Sequence, residues 1–275
     1  MIKIQKALSS RHMVTAVWVI GFFTVWEIGA TIVANTKRMP ENILPHLYQI
    51  AATVLSQDLI NGSDTAIQLV IESAGLTLTR AAIGFLIGAA VGYLLALVMS
   101  LSKIAEKIAM PYLMIIQMIP ILGMAPIILA VTQDIDRSRI VIAAILTFYP
   151  VAINTLAGFK SVENDQRDLM YSLAAKKRQV YPMLLIPASM PYLFTGLKIS
   201  APMAITASIL VDTLQGNGGL GCMLSQSLKH AMTIYVFWQI VFLSAIVGIL
   251  SYYLMTVFET LLSPYKWGRK VKLDK

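Results

Sequence analysis

Four ionisable residues stand in or beside long apolar runs: Glu27, Arg80, Lys198 and Asp212. A charge in such surroundings is costly and points to function by default. Arg80 either snorkels its guanidinium towards lipid headgroups or attracts an anion. Lys198 suits a tie between two helices or a station on a solute path. Asp212 closes an apolar run just ahead of the turn VDTLQGNGGLG, residues 211–221, and suits a gate or an anchor for that turn. Glu27 sits in the middle of its run, where it would bond a neighbouring helix or meet a solute. Other chemistries find little support. Gly216, Gly218, Gly219 and Gly221 lack the Gly-Lys-Ser/Thr of a phosphate loop, and with no Walker motif the chain is not expected to hydrolyse ATP itself. His12, His46 and His230 are scattered, with no cluster suited to a metal site or a nucleophilic triad. Cys222 is the single cysteine, so neither an internal disulfide nor a thiolate cluster is available. The expectation is a chain with no catalytic residue, no bound cofactor and no metal.

The elements that must position these residues follow from composition. Of 275 residues, 57% are hydrophobic and 13% charged, about half the globular average of roughly 25%. Mean hydropathy is +0.72. A soluble domain of this length could not hide so much apolar surface, and disorder requires the opposite composition. Six runs are long enough to span a bilayer as helices: about Met13–Ala34, Leu76–Met99, Ile108–Val131, Ile140–Gly158, Ala188–Val211 and Ile234–Leu262. The third carries Pro111, Pro120 and Pro126. It also carries Met110, Met114, Met118 and Met124 at helical spacing, suited to packing or to lining an adaptable apolar path. The fold class is an all-α membrane protein of about six transmembrane helices.

Basic residues set the orientation. With the N-terminus cytoplasmic, the inner segments hold fifteen of the 22 Lys and Arg residues and the outer segments five, Arg137 and Arg139 among them. Both termini then face the cytoplasm of a multi-pass protein. The first outer segment contains His46–Leu59, which reads as an amphipathic helix lying on the membrane, followed by the turn signal Asn61-Gly62-Ser63-Asp64. The chain divides into residues 1–69, a first span with the amphipathic segment; residues 70–262, the main membrane domain; and residues 263–275, a basic tail.

Between the fourth and fifth runs lies KSVENDQRDLMYSLAAKKRQVYPMLLIP, residues 160–187. Ser172, Leu173, Ala174 and Ala175 favour a helix here, and Leu169, Leu173, Val180 and Leu184 form an apolar stripe. Pro182 and Pro187 are expected to break the helix on its way back to the membrane. A short helix folded across the cytoplasmic face offers a soluble partner a compact surface; an ordinary basic loop that only fixes topology is the alternative.

Here the sequence resembles a known family. Thr79–Leu228 is similar to the permease subunits of ABC importers, the inner-membrane components of binding-protein-dependent transport systems. The nearest likeness is to the nitrate/sulfonate/taurine group, which also takes in riboflavin and thiamine-precursor systems. The motifs TRAAIGFLIGAAVGYLLAL (79–97), QMIPILGMAPIILA (117–130), FYPVAINTLAGFKSV (148–162), SLAAKKRQVYPMLLIPASMPYLFTGLKIS (172–200) and VDTLQGNGGLG (211–221) follow in the family's order. The resemblance implies a type-1 ABC permease (MetI-like) core forming half of a translocation pathway in a bacterial inner membrane. It implies as partners a cytoplasmic ATPase dimer that binds ATP, a second permease, identical or different, and an extracytoplasmic binding protein that carries most of the selectivity. It also implies an ATPase-coupling helix at Asp168, Leu169, Met170, Ser172, Leu173, Ala174, Ala175 and on to Pro187. Asp168-Leu169-Met170 stands where the family has Glu-Ala-Ala, Lys198 where it has Arg, and Ala174 where it has glycine; an alanine is expected to stay helical rather than turn with positive φ. Arg80, Lys198 and Asp212 are the expected pathway or gate residues. An ion-coupled secondary transporter is the alternative, although such folds usually pair ionisable groups at the midplane within inverted repeats.

Overall fold

The computed structural model describes residues 11–56, 65–214, 218–229 and 234–262. Five of its helices are long and apolar enough to cross a membrane, or six if one bent pair counts as a span. Lipid offers backbone groups no partner, so apolar runs of this length cross as helices that satisfy their own N–H and C=O groups. In chain order the elements are α1 (Arg11–Thr36), a 3₁₀ turn (Pro40–Asn42), α2 (Leu47–Leu55), α3 (Ala66–Leu101), α4 (Lys103–Met118), α5 (Ile121–Thr132), α6 (Ile135–Lys160), α7 (Asn164–Ser172), α8 (Lys177–Val180), a π-helical turn (Tyr181–Leu185), α9 (Ile186–Leu214), α10 (Leu220–Lys229) and α11 (Ile234–Leu262).

Three sequence expectations need correction. The third run is two helices bent by 110°. Proline disfavours the α conformation at the residue before it; Ile119 is accordingly extended (φ −72°, ψ 127°), and Pro120 starts α5. Pro111 and Pro126 stay inside their helices. The second run begins ten residues early, at Ala66, so the last ten residues of the expected outer segment ahead of Leu76 are helix extension. Pro182 does not break the chain: helix runs from Arg178 to Leu214, and the π turn around Pro182 absorbs its missing N–H. The turn signal at residues 61–64 and the tail at 263–275 lie outside the described residues.

The chain forms two compact units, one of residues 1–71 with 224–241 and one of 72–223 with 242–275. In the first, Glu27 is a helix cap. Its carboxylate accepts the Leu47 amide at 2.8 Å and meets His46 Nδ1 at 2.7 Å, satisfying the start of α2. Beside it the Trp26 indole donates to the Pro45 carbonyl at 3.0 Å and stands edge-on to Trp238.

The second unit is built on close helix contact. Gly84, Gly88 and Gly92 recur every fourth residue on the face of α3 that meets α6; a Cβ at Gly88 would lie 2.4 Å from the Ala144 carbonyl oxygen. Gly158 and Gly196 do the same between α6 and α9. Small residues let helices approach where no hydrophobic effect drives them together. At the end of α6 that leads into α7, a core of Met99, Leu113, Leu156, Phe159 and Leu185 closes the bundle.

Candidate functional site

Two sites lie at opposite ends of α6. At its C-terminal end α7 juts from the bundle. Arg167 Nη2 donates to the Phe159 carbonyl at 3.0 Å, tying α7 back to α6, and Lys160 pairs with Glu106 of α4. The helix ends at Ser172, not beyond Ala175. The Ala175 amide donates to the Met170 carbonyl at 3.0 Å and the Ala174 amide to the Tyr171 carbonyl at 2.9 Å. This crossed pair is the Schellman stop, and it requires a left-handed residue, here Ala174 at φ +52°. The expectation that Ala174 would stay helical is therefore overturned: two carbonyls gain partners, which outweighs the Cβ strain. The expected apolar stripe splits. Val180 and Leu184 pack against the core, whereas Leu169, Tyr171 and Leu173 are exposed, at 61%, 85% and 70%. Asp168 and Ser172 are exposed with them, and Met170 and Ala175 are half-buried. Pro187 lies apart from this group, half-buried near the start of α9.

At the N-terminal end of α6 an ion cluster joins three helices. Asp134 caps α6 through the amides of Asp136 and Arg137, at 2.7 and 3.0 Å. These same amide bonds, the Arg137 bond foremost, hold its carboxyl below the usual aspartate range. One turn on, Arg139 Nε lies 2.6 Å from Asp212 Oδ1, with both side chains wholly buried. The Arg139 Nη1 donates to Asp136 at 2.6 Å and Nη2 to the Gly218 carbonyl at 3.3 Å. Arg80 of α3 lies 3.0 Å from Asp136 and 3.9 Å from Asp212. Thr77 donates to Asp212 at 2.7 Å and accepts the Leu220 amide at 2.9 Å. Two arginines thus face two aspartates, and Arg139 and Thr77 together grip the loop into α10. Gly219, at φ +106°, lets the loop lie against the carboxylate: a Cβ there would fall 2.2 Å from Asp212 Oδ2.

Of the residues expected to line a pathway or gate, Arg80 and Asp212 come together and Lys198 does not. Lys198 pairs with Glu259 of α11 at 2.6 Å, beside the Tyr252 ring. Arg80 has carboxylate partners rather than headgroups. Sequence reasoning missed Arg139, Asp136 and Thr77, because Arg137 and Arg139 were counted as loop charges. The signal was there: Asp134 is a helix cap directly ahead of an apolar run, and Asp136 and Arg139 stand three apart on one helical face. The methionines also divide: Met110 packs on the core, and Met114 and Met118 are exposed.

Between the two ends, at the middle of α6 and α9 and against the α4–α5 break, lies an open cavity of about 630 Å³.

Residues 84–264 match the family described as binding-protein-dependent transport system inner membrane component. The chain is 28% identical over 242 residues to the formylaminopyrimidine transport permease protein ThiX of Halalkalibacterium halodurans, covering 88% of this chain and 91% of that one. It is 27% identical over 249 residues to the nitrate import permease protein NrtB of a Synechocystis species, covering 90% and 88%. Among solved structures, an amino acid ABC transporter crystallised with histidines superposes with a TM-score of 0.61 at 20% identity, over 71% of this chain and 95% of that one, a likeness of fold.

Proposed function

Because this chain belongs to the family of binding-protein-dependent transport system inner membrane components, and is thus a membrane permease subunit of an ATP-driven ABC importer, we propose that Asp168–Ala175 is the surface through which a cytoplasmic ATPase moves the membrane spans. One observation carries the assignment of that surface. Leu169 and Tyr171 on α7 and Leu173 at its C-cap stand exposed, on a short segment fastened at both ends to the transmembrane pair α6 and α9. Arg167 and the Phe159 carbonyl fix its start, and the Schellman stop and the unbroken helix from Arg178 fix its end. A push on such a segment is passed to both spans as rigid-body motion, the ordinary form of alternating access. Exposed aromatic and aliphatic side chains are also what a partner groove takes up.

On this reading ATP is bound and hydrolysed by the partner, and the chain itself makes or breaks no bond. The ATPase dimer docks at α7, a second permease completes the pathway and a binding protein delivers solute to the opposite face. The excess of lysine and arginine on the α7 side supports a cytoplasmic location for both termini in a bacterial inner membrane. The ion cluster then lies at the outer end and holds the loop at Gly218–Leu220 in register with α3. ThiX and NrtB are named for very different solutes, so the family leaves the substrate class open.

The test is the importer complex purified with the partners that accompany this chain. Leu173→Asp should leave insertion intact, release the ATPase and reduce ATP-dependent uptake at least tenfold. Uptake at the wild-type rate would remove α7 from the coupling role.

A further inference from the structure

The cavity at the middle of α6 and α9 has a definite chemistry. It is framed by the α4–α5 break, by α6 and by α9, and among the described residues that line it none is charged. Three side chains bring polarity: Gln117, Tyr149 and Asn154. The Gln117 amide and the Tyr149 hydroxyl have no hydrogen-bond partner among the described residues. Asn154 donates its Nδ2 to the Pro150 carbonyl at 2.7 Å, which leaves Oδ1 as an acceptor. The break adds main-chain groups of both kinds, since Ile119, Pro120 and Ile121 border the cavity. The Pro120 carbonyl already accepts the Gly123 and Met124 amides, so the open groups are the last carbonyls of α4 and the Ile121 amide at the start of α5. The wall therefore offers donors, acceptors and one aromatic face in an otherwise aliphatic surround. Its size falls within the roughly 300–1,000 Å³ range of small-molecule pockets.

The cations that an anion would need are engaged elsewhere. Arg80 and Arg139 face Asp136 and Asp212 at the far end of α6, and Lys198 faces Glu259. An inorganic oxyanion entering the cavity would give up hydration without meeting a countercharge, which is the costly case. A neutral solute with its own donors and acceptors would exchange water for Gln117, Asn154 and the open main chain, and a flat one would gain the face of Tyr149. We propose that this permease passes an uncharged, planar, hydrogen-bonding organic solute of nucleobase character, with Gln117, Tyr149 and Asn154 as its contacts at mid-membrane. This rests on the importer reading above.

The experiment uses the complete importer, this chain with the ATPase and binding protein that accompany it, reconstituted in proteoliposomes with ATP on the ATPase side. The probes are cytosine and 4-aminopyrimidine as neutral planar solutes, nitrate as an oxyanion and taurine as a sulfonate. Accumulation of a neutral probe, with none of nitrate or taurine, is expected. Gln117→Ala and Asn154→Ala should each raise the half-saturating concentration of that probe three- to tenfold, as loss of one hydrogen bond implies. Tyr149→Ala, which removes the ring face, should raise it at least as much, and a monodisperse size-exclusion profile of each variant complex serves as the folding control. Accumulation of nitrate or taurine overturns the proposal, as does accumulation of neither neutral probe, or a neutral probe indifferent to the alanine variants. If the proposal fails while the binding protein still stimulates ATP hydrolysis and Leu173→Asp abolishes that stimulation, the importer reading stands and the solute class alone falls.

Discussion

Asp212→Asn removes one charge from the buried cluster and little else. The amide is isosteric, and its oxygen can still accept the Thr77 hydroxyl at 2.7 Å. The Arg139 Nε at 2.6 Å, however, loses its carboxylate, and Arg139 is wholly buried. Breaking a buried pair from one side costs about 3–5 kcal/mol, because the remaining charge is uncompensated. Asp136 still faces Arg139 at 2.6 Å but is itself 57% exposed, so the lower end, about 3 kcal/mol, is expected. For a chain of this size that is a fall in Tm of about 6–12 °C, read in detergent by thermal unfolding monitored on size exclusion. Arg139→Gln combined with Asp212→Asn removes both charges, and paired removal is far less costly than one-sided removal. The double variant should therefore unfold at a higher temperature than Asp212→Asn alone. A loss of less than 2 °C in the single variant, or a double variant equal to the sum of the two singles, would refute the claim that this pair is a desolvated lock.

Gly88→Val should be worse than any surface change, since even a Cβ meets the Ala144 carbonyl oxygen at 2.4 Å; separating α3 from α6 is expected to cost at least about 2–3 kcal/mol and to show as loss of the monodisperse detergent-solubilised protein. Ala174→Gly should do the reverse, because glycine adopts φ +52° without the roughly 1 kcal/mol strain of a Cβ; Tm should hold or rise, and coupling should be retained. Acid should fray the start of α6. The Asp134 carboxyl is depressed by the Arg137 and Asp136 amides, so its cap is complete above the ordinary aspartate pKa of about 3.9 and is lost as pH falls through the lower folded value. Hydrogen exchange at the Asp136 and Arg137 amides, compared with Asp134→Asn, should converge on that variant only at the acid end.

Much of the architecture was legible in the chain because membrane helices obey a local rule: about 20 apolar residues must satisfy their own backbone. The run Ile234–Leu262 was read to the residue, and the others differ mainly by extension past their apolar limits into capped or charged turns. The errors arose where local propensity met a demand from elsewhere. Pro120 splits its run because proline constrains the residue before it, whereas Pro182 does not, because a π turn takes up the defect. Ala174 turns left-handed, against its preference, to satisfy two carbonyls at the end of α7.

The sequence alone determined that the chain lives in a membrane, where the apolar cores of its spans fall and, through the order of its motifs, the transporter family it resembles. Tertiary structure decided which ionisable residues are partners. Arg80, Arg139 and Asp212 lie 59 and 73 residues apart in successive steps along the chain, a separation that no periodicity reports. They meet because glycines bring α3, α6 and α9 within backbone contact, and a buried charge must find its opposite in whatever helix packing places beside it.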